Sequence, residues 1–402
     1  MKAEAAKWRR VPVVELCEKH VDCVNRTAPV LSEPTPFKMI RTTNVRNGYI
    51  DTENVRYVSE ATYKKWTRRL VPKRGDVILT REAPLGDVGK LRTDDHIFLG
   101  QRLYHFRPHP DKLDADFLLY ALMAPDLQGQ IKGFGSGSTV EHMRLGDIPN
   151  LEINVPTLSV QRRIAGILSA YDELIENSQR RIRLLENMAR ALYREWFVHF
   201  RFPGHESVPR IPSALGDIPQ SWEVKKLGEV ASITMGLSPK SDTYNEDGDG
   251  TPLVNGPVEF GERFTKQVKW TTAPTKLCHE GDLVVCVRGS TTGKYVKSDG
   301  TYCLGRGVCG MSGKHQAYVD LLFISELPRL LGQTSGSTFP SWTGPQLQAH
   351  PVLSPPSKIL QRFEEIVKPM SATIATYERR IENLRRTRDL LLPRLLSRIE
   401  CS

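Results

Sequence analysis

Apolar residues mostly come in short runs along this chain, but in two stretches they keep a 4-3-4-3 spacing. In the first, Tyr171, Ile175, Ser178, Ile182, Leu185, Ala189, Leu192 and Trp196 occupy successive positions of the pattern. In the second the series is Met370, Ile374, Tyr377, Ile381, Leu384, Arg388, Leu391 and Leu395, each 199 residues further on. A period of 3.5 residues held through several heptads is that of a coiled-coil seam. The spacing therefore predicts two long helices, within residues 157–202 and 356–402. A lone apolar stripe in water is unfavourable, so each seam needs a partner, and the other seam is available in the same chain. Antiparallel packing would place a globular module at either end. Gly166 should weaken the first helix and Pro393 should kink the second near its end. Arg388, at a seam position, should fix the register or mark a contact to another chain.

The duplication extends beyond the helices. Val155-Pro156-Thr157-Leu158-Ser159-Val160-Gln161-Arg162 is echoed by Pro355-Pro356-Ser357-Lys358-Ile359-Leu360-Gln361-Arg362, and Arg180-Arg181 returns as Arg379-Arg380. Gly75-Asp76-Val77-Ile78-Leu79 reads as a turn entering a buried strand and matches Gly281-Asp282-Leu283-Val284-Val285. Gly86–Lys90 corresponds loosely to Gly289–Lys294, and Ser136-Gly137-Ser138-Thr139 to Ser335-Gly336-Ser337-Thr338. Lys38-Met39-Ile40-Arg41 precedes a polar Thr42-Thr43-Asn44 stretch, and Asn47-Gly48 marks a turn. A Pro- and Gly-rich linker covers 203–218. The expected organisation is α/β (α+β), an internal pseudo-two-fold repeat: a first module over 1–156, its helix over 157–202, the linker, a second module over 219–355, and its helix over 356–402.

Composition narrows the chemistry. Of 402 residues, 39% are hydrophobic, an ordinary share that supplies cores for two to three domains. Apolar runs such as Val77-Ile78-Leu79 are too short to span a bilayer, and the start lacks a signal-peptide core, so a cytoplasmic protein without membrane contact is expected. Seven cysteines without a Cys-x-x-Cys pair fit reduced thiols and no zinc site. Lys and Arg number 56 against 46 Asp and Glu, a net charge of +10 that suits a polyanionic partner.

No catalytic signature survives inspection. Gly133-Phe134-Gly135-Ser136-Gly137-Ser138 lacks the spacer of an adenine methyltransferase's S-adenosylmethionine loop, and no Asn/Asp-Pro-Pro-Tyr-like tetrad occurs. Gly289-Ser290-Thr291-Thr292-Gly293-Lys294-Tyr295 has three residues between its glycines where a phosphate loop has four, and Tyr where that loop has Ser or Thr. Glu223-Val224-Lys225 carries only the tail of a nuclease motif. Residues suited to base edges are more prominent: Arg bonds guanine bidentately, Asn bonds adenine, and Thr serves either or touches a thymine methyl. The candidates in the first module are Arg41, Thr42, Thr43, Asn44, Arg46, Arg81, Gln101, Arg102 and Ser138. In the second they are Lys240, Asn255, Arg288, Lys294, Arg306 and Ser337. Trp196, Phe197 and Phe200 are candidate anchors for a partner protein, because aromatics often carry interface energy; closure of the helix end against its own domain is the competing reading.

The run from Gln161-Arg162-Arg163-Ile164 to Tyr171-Asp172, continued by Met188-Ala189-Arg190-Ala191-Leu192-Tyr193-Arg194-Glu195-Trp196-Phe197-Val198, resembles the central conserved helix of type I restriction-modification specificity subunits. Trp222 and Leu227-Gly228-Glu229-Val230 resemble the entry to that family's target recognition domain, and Gly135-Ser136-Gly137-Ser138-Thr139 its polar motif. The first module departs from the pattern, with Lys7-Trp8-Arg9-Arg10-Val11-Pro12 in place of Pro-x-x-Trp. The resemblance implies two target recognition domains, each reading half of a bipartite double-stranded DNA site. It also implies an antiparallel coiled coil that sets the gap and docks two methyltransferase (modification) subunits, with restriction/translocase subunits as optional further partners. It implies no catalysis and no cofactor in this chain: S-adenosylmethionine, ATP and Mg2+ would act in the partner subunits. A helix from Gln161 to His199 would be ~58 Å long at about 1.5 Å per residue, longer than one B-DNA turn of about 34 Å. A self-sufficient DNA methyltransferase or nuclease, and a coiled-coil scaffold without DNA preference, are the alternatives.

Overall fold

The two seam helices form as Leu158–Tyr193 and Ser357–Leu396 in the computed structural model, which describes residues 8–135, 141–334 and 340–397. Every expected seam position in both series is buried or half-buried. The second helix runs through Pro393 to Leu396. Proline forfeits one backbone bond there, but Leu391, Leu392, Leu395 and Leu396 of the same turn pack into an apolar cluster that holds it in place. Gly166 sits on an exposed face of the first helix.

Packing divides the chain into two units, one comprising Met1–Gln179 with Glu378–Ser402 and the other Arg180–Tyr377. Each unit thus owns a globular part and one segment of each long helix. Within the first unit the segments meet at Asp172 and Arg388, whose Oδ1 and Nη1 lie 2.6 Å apart. Within the second, Arg181 donates to the Tyr377 hydroxyl at 2.8 Å, and Phe197 packs on Phe363 with ring centroids 4.8 Å apart. The order of these last two contacts along the helices makes the pairing antiparallel in that unit.

The globular part of the first unit is closed by its own chain ends, Arg9–Pro12 pairing antiparallel with Glu152–Val155 just before the long helix. Its main sheet orders Cys17–Asp22, Leu103–Pro108, Val77–Arg81 and Leu85–Lys90, all antiparallel. In a second sheet Phe37–Ile40 runs parallel to His96–Leu99, with Arg56–Tyr57 on its other side. The helix Ala115–Met123 packs on the main sheet. Asp114 caps it by accepting the N–H groups of Asp116 and Phe117, both at 3.0 Å, and Phe117 through Leu122 are all buried.

The second unit repeats this plan. Glu223–Lys226 pairs with Pro351–Ser354, and its main sheet orders Ser232–Met235, Val308–Ser312, Leu283–Cys286 and Tyr295–Lys297. Thr251–Val254 runs parallel to Tyr302–Leu304, and the covering helix is Gln316–Leu331. The Gly-Asp landmarks make the same turn bonds. Gly75 and Gly281 adopt φ +91° and +89° and donate to the Leu91 and Ser298 carbonyls, both at 2.9 Å. Asp76 and Asp282 then accept the N–H groups of Lys73 and His279, both at 2.8 Å.

Three details of the repeat differ from the sequence expectation. Val77 pairs with Lys90 and Leu283 with Lys297, so Gly86–Lys90 matches Gly293–Lys297 rather than Gly289–Lys294. A tight turn before Gly293 displaces the similarity; Lys90 and Lys297 then take the same role, pairing with Asp116 and Asp320 of the covering helices. Trp8 precedes the first closing strand as Trp222 precedes the second, so the first module keeps the tryptophan of the entry and lacks only its proline. Leu360 takes the buried position of Gln161, whereas Gln361 is exposed. Gln161 bonds the Asp114 N–H at 2.8 Å; in the second unit Glu364 accepts from Ala317 at 3.2 Å instead.

The segment 203–218 is not featureless, since Arg210–Ile211 pairs with Ile218–Pro219, and Phe202 and Ile218 enter the second unit's core. Among the described residues, no helix is long and apolar enough to cross a membrane.

Candidate nucleic-acid interface

Parallel pairing of Phe37–Ile40 with His96–Leu99 makes both strands end on one side of the first unit. Gly100 donates to the Ile40 carbonyl at 2.8 Å, and a Cβ on it would lie 2.8 Å from that same oxygen and 3.5 Å from the Arg41 Cγ. Glycine is needed for this close approach, which brings Arg41 beside Gln101 and Arg102. Arg102, at φ +67°, offers its carbonyl to the Arg81 N–H at 2.9 Å. The Arg81 guanidinium donates from Nη1 to the Met143 carbonyl at 3.1 Å. Arg41, Arg81, Gln101 and Arg102 therefore converge at one end of the sheets.

Their side chains differ in availability. The Nε atoms of Arg41 and Arg81 are buried with no acceptor among the described residues. Arg102 lies 3.3 Å from Glu82, and the well-exposed Arg46 lies 4.0 Å from Asp87, whose carboxyl burial raises despite that arginine. Thr42 is half-buried and Thr43 exposed in the turn that leaves the strand.

Asn44 has a different task from the adenine contact expected of it. Its Oδ1 accepts the Arg41 N–H at 2.9 Å, and its amide donates to the Asn54 carbonyl at 2.9 Å and the Asp51 carbonyl at 3.3 Å. Buried and committed to its own loop, it shapes the turn instead of offering an amide to a base. Glu259, which sequence reasoning passed over, does the same in the second unit, accepting the N–H groups of Asn255 and Gly256 at 3.1 Å. The signal was available: an acceptor three residues after the turn's first residue is capping-box spacing.

The second unit gathers its candidates in the same place. Gly305 donates to the Val254 carbonyl at 2.8 Å, and a Cβ on Gly305 would fall 1.6 Å from the Asn255 Oδ1. Arg306 is exposed, and its N–H bonds the Ser238 hydroxyl at 3.1 Å; that hydroxyl in turn reaches Asn255 Oδ1 at 3.5 Å. Val287 donates to the Gly307 carbonyl at 2.9 Å, which sets the exposed Arg288 beside this cluster. Lys240, also exposed, follows Ser238 and heads the turn Ser241–Thr243.

Lys294 belongs to a different feature. Its N–H bonds the Thr291 carbonyl, those of Thr292 and Gly293 bond Gly289 and Cys286, and the Thr292 hydroxyl reaches the Pro340 carbonyl at 2.7 Å. The loop is a self-bonded turn carrying one exposed lysine, with those amides turned inward rather than cradling an anion. Ser138 and Ser337 lie outside the described residues.

The aromatic anchors are corrected outright. Trp196 and Phe197 are 6% and 3% exposed, and half-buried Phe200 packs edge-on against Trp222 at 5.3 Å between centroids. Phe197 also packs on Tyr318, at 4.8 Å. These rings fasten the end of the first long helix to the second unit's own core instead of standing exposed for a partner. Arg388 also finds its partner within its unit, in Asp172. Among the described residues no group of three His, Cys, Asp or Glu side chains is placed to hold a metal ion.

Residues 7–187 and 219–386 match the family described as type I restriction modification DNA specificity domain, once per unit of the repeat. The chain is 25% identical over 359 residues to the type I restriction enzyme MjaIX specificity subunit of Methanocaldococcus jannaschii, covering 85% of this chain and 81% of that one. It is 22% identical over 410 residues to the type I restriction enzyme HindI specificity subunit of Haemophilus influenzae, covering 81% and 86%. The crystal structure of a type I restriction-modification system S subunit from M. genitalium shares the fold, with a TM-score of 0.59 over 99% of both chains at 16% identity.

Proposed function

Because this chain belongs to the type I restriction-modification DNA specificity family and is a sequence-specificity subunit, we propose that its two units each read one half of a bipartite double-stranded DNA site. The observation that carries the reading is the repeated sheet end. A glycine-enforced approach of two parallel strands collects Arg41, Arg81, Gln101 and Arg102 in one unit, and Asn255, Arg288 and Arg306 in the other. Cations bind phosphates of any sequence and set orientation, while guanidinium and amide groups supply base discrimination. The antiparallel helices fix the gap between the half-sites.

Two methyltransferase subunits dock on the outward faces of the helices. With the aromatic rings committed to the core, exposed Ile167, Leu174, Leu184 and Met188 on the first long helix, and Ile366 and Leu390 on the second, are apolar groups available for that contact. S-adenosylmethionine, ATP and Mg2+ act in the partner subunits, and this chain contributes recognition without catalysis.

The test is selection of bound sequences from a random DNA library by the full chain, alone and with its methyltransferase subunits. Two short blocks at a fixed spacing are expected. Arg41→Ala and Arg288→Ala should each weaken a different block, by about 1–3 kcal/mol per lost bidentate contact. Binding without a motif would leave a DNA-indifferent scaffold as the better account, and methyl transfer by the chain alone would make it an enzyme.

A further inference from the structure

We infer that Arg263 in the second unit and Arg92 in the first are positioning residues that pin each DNA-reading hairpin to a long helix; the inference rests on the reading proposed above. The two hairpins are equivalent. The turn Thr42–Asn44 leads into the pairing of Val45–Arg46 with Tyr49–Ile50, and Pro257–Glu259 leads into a bridge between Phe260 and Thr265. Asp51 then bonds back to the Asn44 carbonyl at 2.8 Å and Lys266 to that of Glu259 at 2.9 Å. Lys90 and Lys297, already matched, donate their N–H groups to the carbonyls of Gly48 and Arg263. Arg263 therefore occupies the place of Gly48.

From that place the two hairpins each reach the first long helix, through different side chains. Arg263 donates from Nε to Glu186 of the first long helix at 2.7 Å. In the first unit, where glycine has no side chain to send, the next residue Tyr49 lies under the Arg92 guanidinium, 4.7 Å from ring centroid to Cζ. Arg92 donates in turn to Glu176 of the same helix at 3.4 Å. The guanidinium-bearing side chains are only 19% and 26% exposed, so these pairs are better shielded than ordinary surface ion pairs. Two equivalent hairpins that both reach the first long helix, through unlike residues and at positions the repeat does not make equivalent, point to a use for the connection. Two-residue strands do not hold a hairpin steady alone, so its orientation must be borrowed from what it touches. Here that support is the long helix, and the reading turn is continuous with the hairpin.

The experiment uses the full chain carrying Arg263→Glu, Glu186→Arg, or both. Amide exchange across 259–266 in the absence of DNA should accelerate in each single variant and return toward the parent rate in the double variant. Affinity for the selected site should show roughly tenfold less discrimination against single mismatches in the half read by the second unit, within the usual range for one mismatched pair. The other half-site should be unaffected, and the double variant should recover discrimination. Unchanged exchange, or an equal loss at both half-sites, would overturn the inference. A parent chain that selects no split motif would sink the functional reading itself, and that outcome is separate because the exchange measurement needs no DNA.

Discussion

Replacing Arg388 with leucine would complete the apolar seam, and heptad reasoning alone expects a more stable helix pair. The structure predicts the reverse. Arg388 and Asp172 are 6% and 4% exposed, and their 2.6 Å contact neutralises a carboxylate that has left water. Asp172 also accepts the Tyr120 hydroxyl at 2.7 Å. Burial and then that same carboxylate push the Tyr120 phenol far above its ordinary range, so it remains a donor. Removing one partner of a buried pair costs about 3–5 kcal/mol, because the remaining charge is stranded. Arg92, whose Nη2 lies 3.7 Å from Asp172, would compensate in part, which favours the low end, about 3 kcal/mol. For a unit of this size that lowers the midpoint by roughly 6–12 °C. Scanning calorimetry of the full chain, with amide exchange to assign the transition to the first unit, measures the change. Adding Asp172→Asn, which removes the stranded charge but keeps an acceptor for Tyr120, should recover all but about 1 kcal/mol. A single Arg388→Leu variant as stable as the parent would refute the argument.

Other perturbations follow from the same contacts. Phe197→Ala should destabilise the second unit by about 3–5 kcal/mol, as large-to-small changes in cores do, and leave the first unit's transition in place; loss of partner docking from a normally stable chain would restore Phe197 as an interface anchor. Asp76 offers a pH test. Burial alone would raise its carboxyl, but hydrogen bonds from Arg107 and His105 and from the Lys73 amide hold it below the ordinary value. A depressed folded value contributes stability that is present above the unfolded value of about 3.9 and lost as pH falls through the folded one. Urea midpoints of the first unit should therefore drop below about pH 4, and Asp76→Asn should be weaker at neutral pH with a shallower acid slope.

What the sequence made legible was whatever depends on periodicity or on a backbone requirement. The seam positions follow from spacing alone. Asn47-Gly48 declared its turn because both residues adopt positive φ, +53° and +83°, as a two-residue hairpin loop demands. Gly75-Asp76 and Gly281-Asp282 matched because the same bonds require the same residues. What stayed hidden depends on partners distant in sequence. Arg388 was conspicuous in its seam, but nothing local pointed to Asp172, 216 residues away. Trp196, Phe197 and Phe200 have the composition of an interface and the location of a core, and only packing separates the two. Gly86–Lys90 was aligned to Gly289–Lys294 by resemblance of its letters; strand register moves the match to Gly293–Lys297. At the sheet ends, residue type singled out several positions that the fold brings together, but could not tell Asn44, spent on its own loop, from Arg41, whose buried Nε has no acceptor among the described residues.

The most direct measurement is a map of N6-methyladenine in cells carrying this chain with its methyltransferase subunits, compared with cells in which residues 222–355 are replaced by the equivalent stretch of another family member. The account predicts a split motif of two blocks whose spacing is preserved, with one block exchanged and the other untouched. A change in both blocks together, or a single uninterrupted motif, would contradict it.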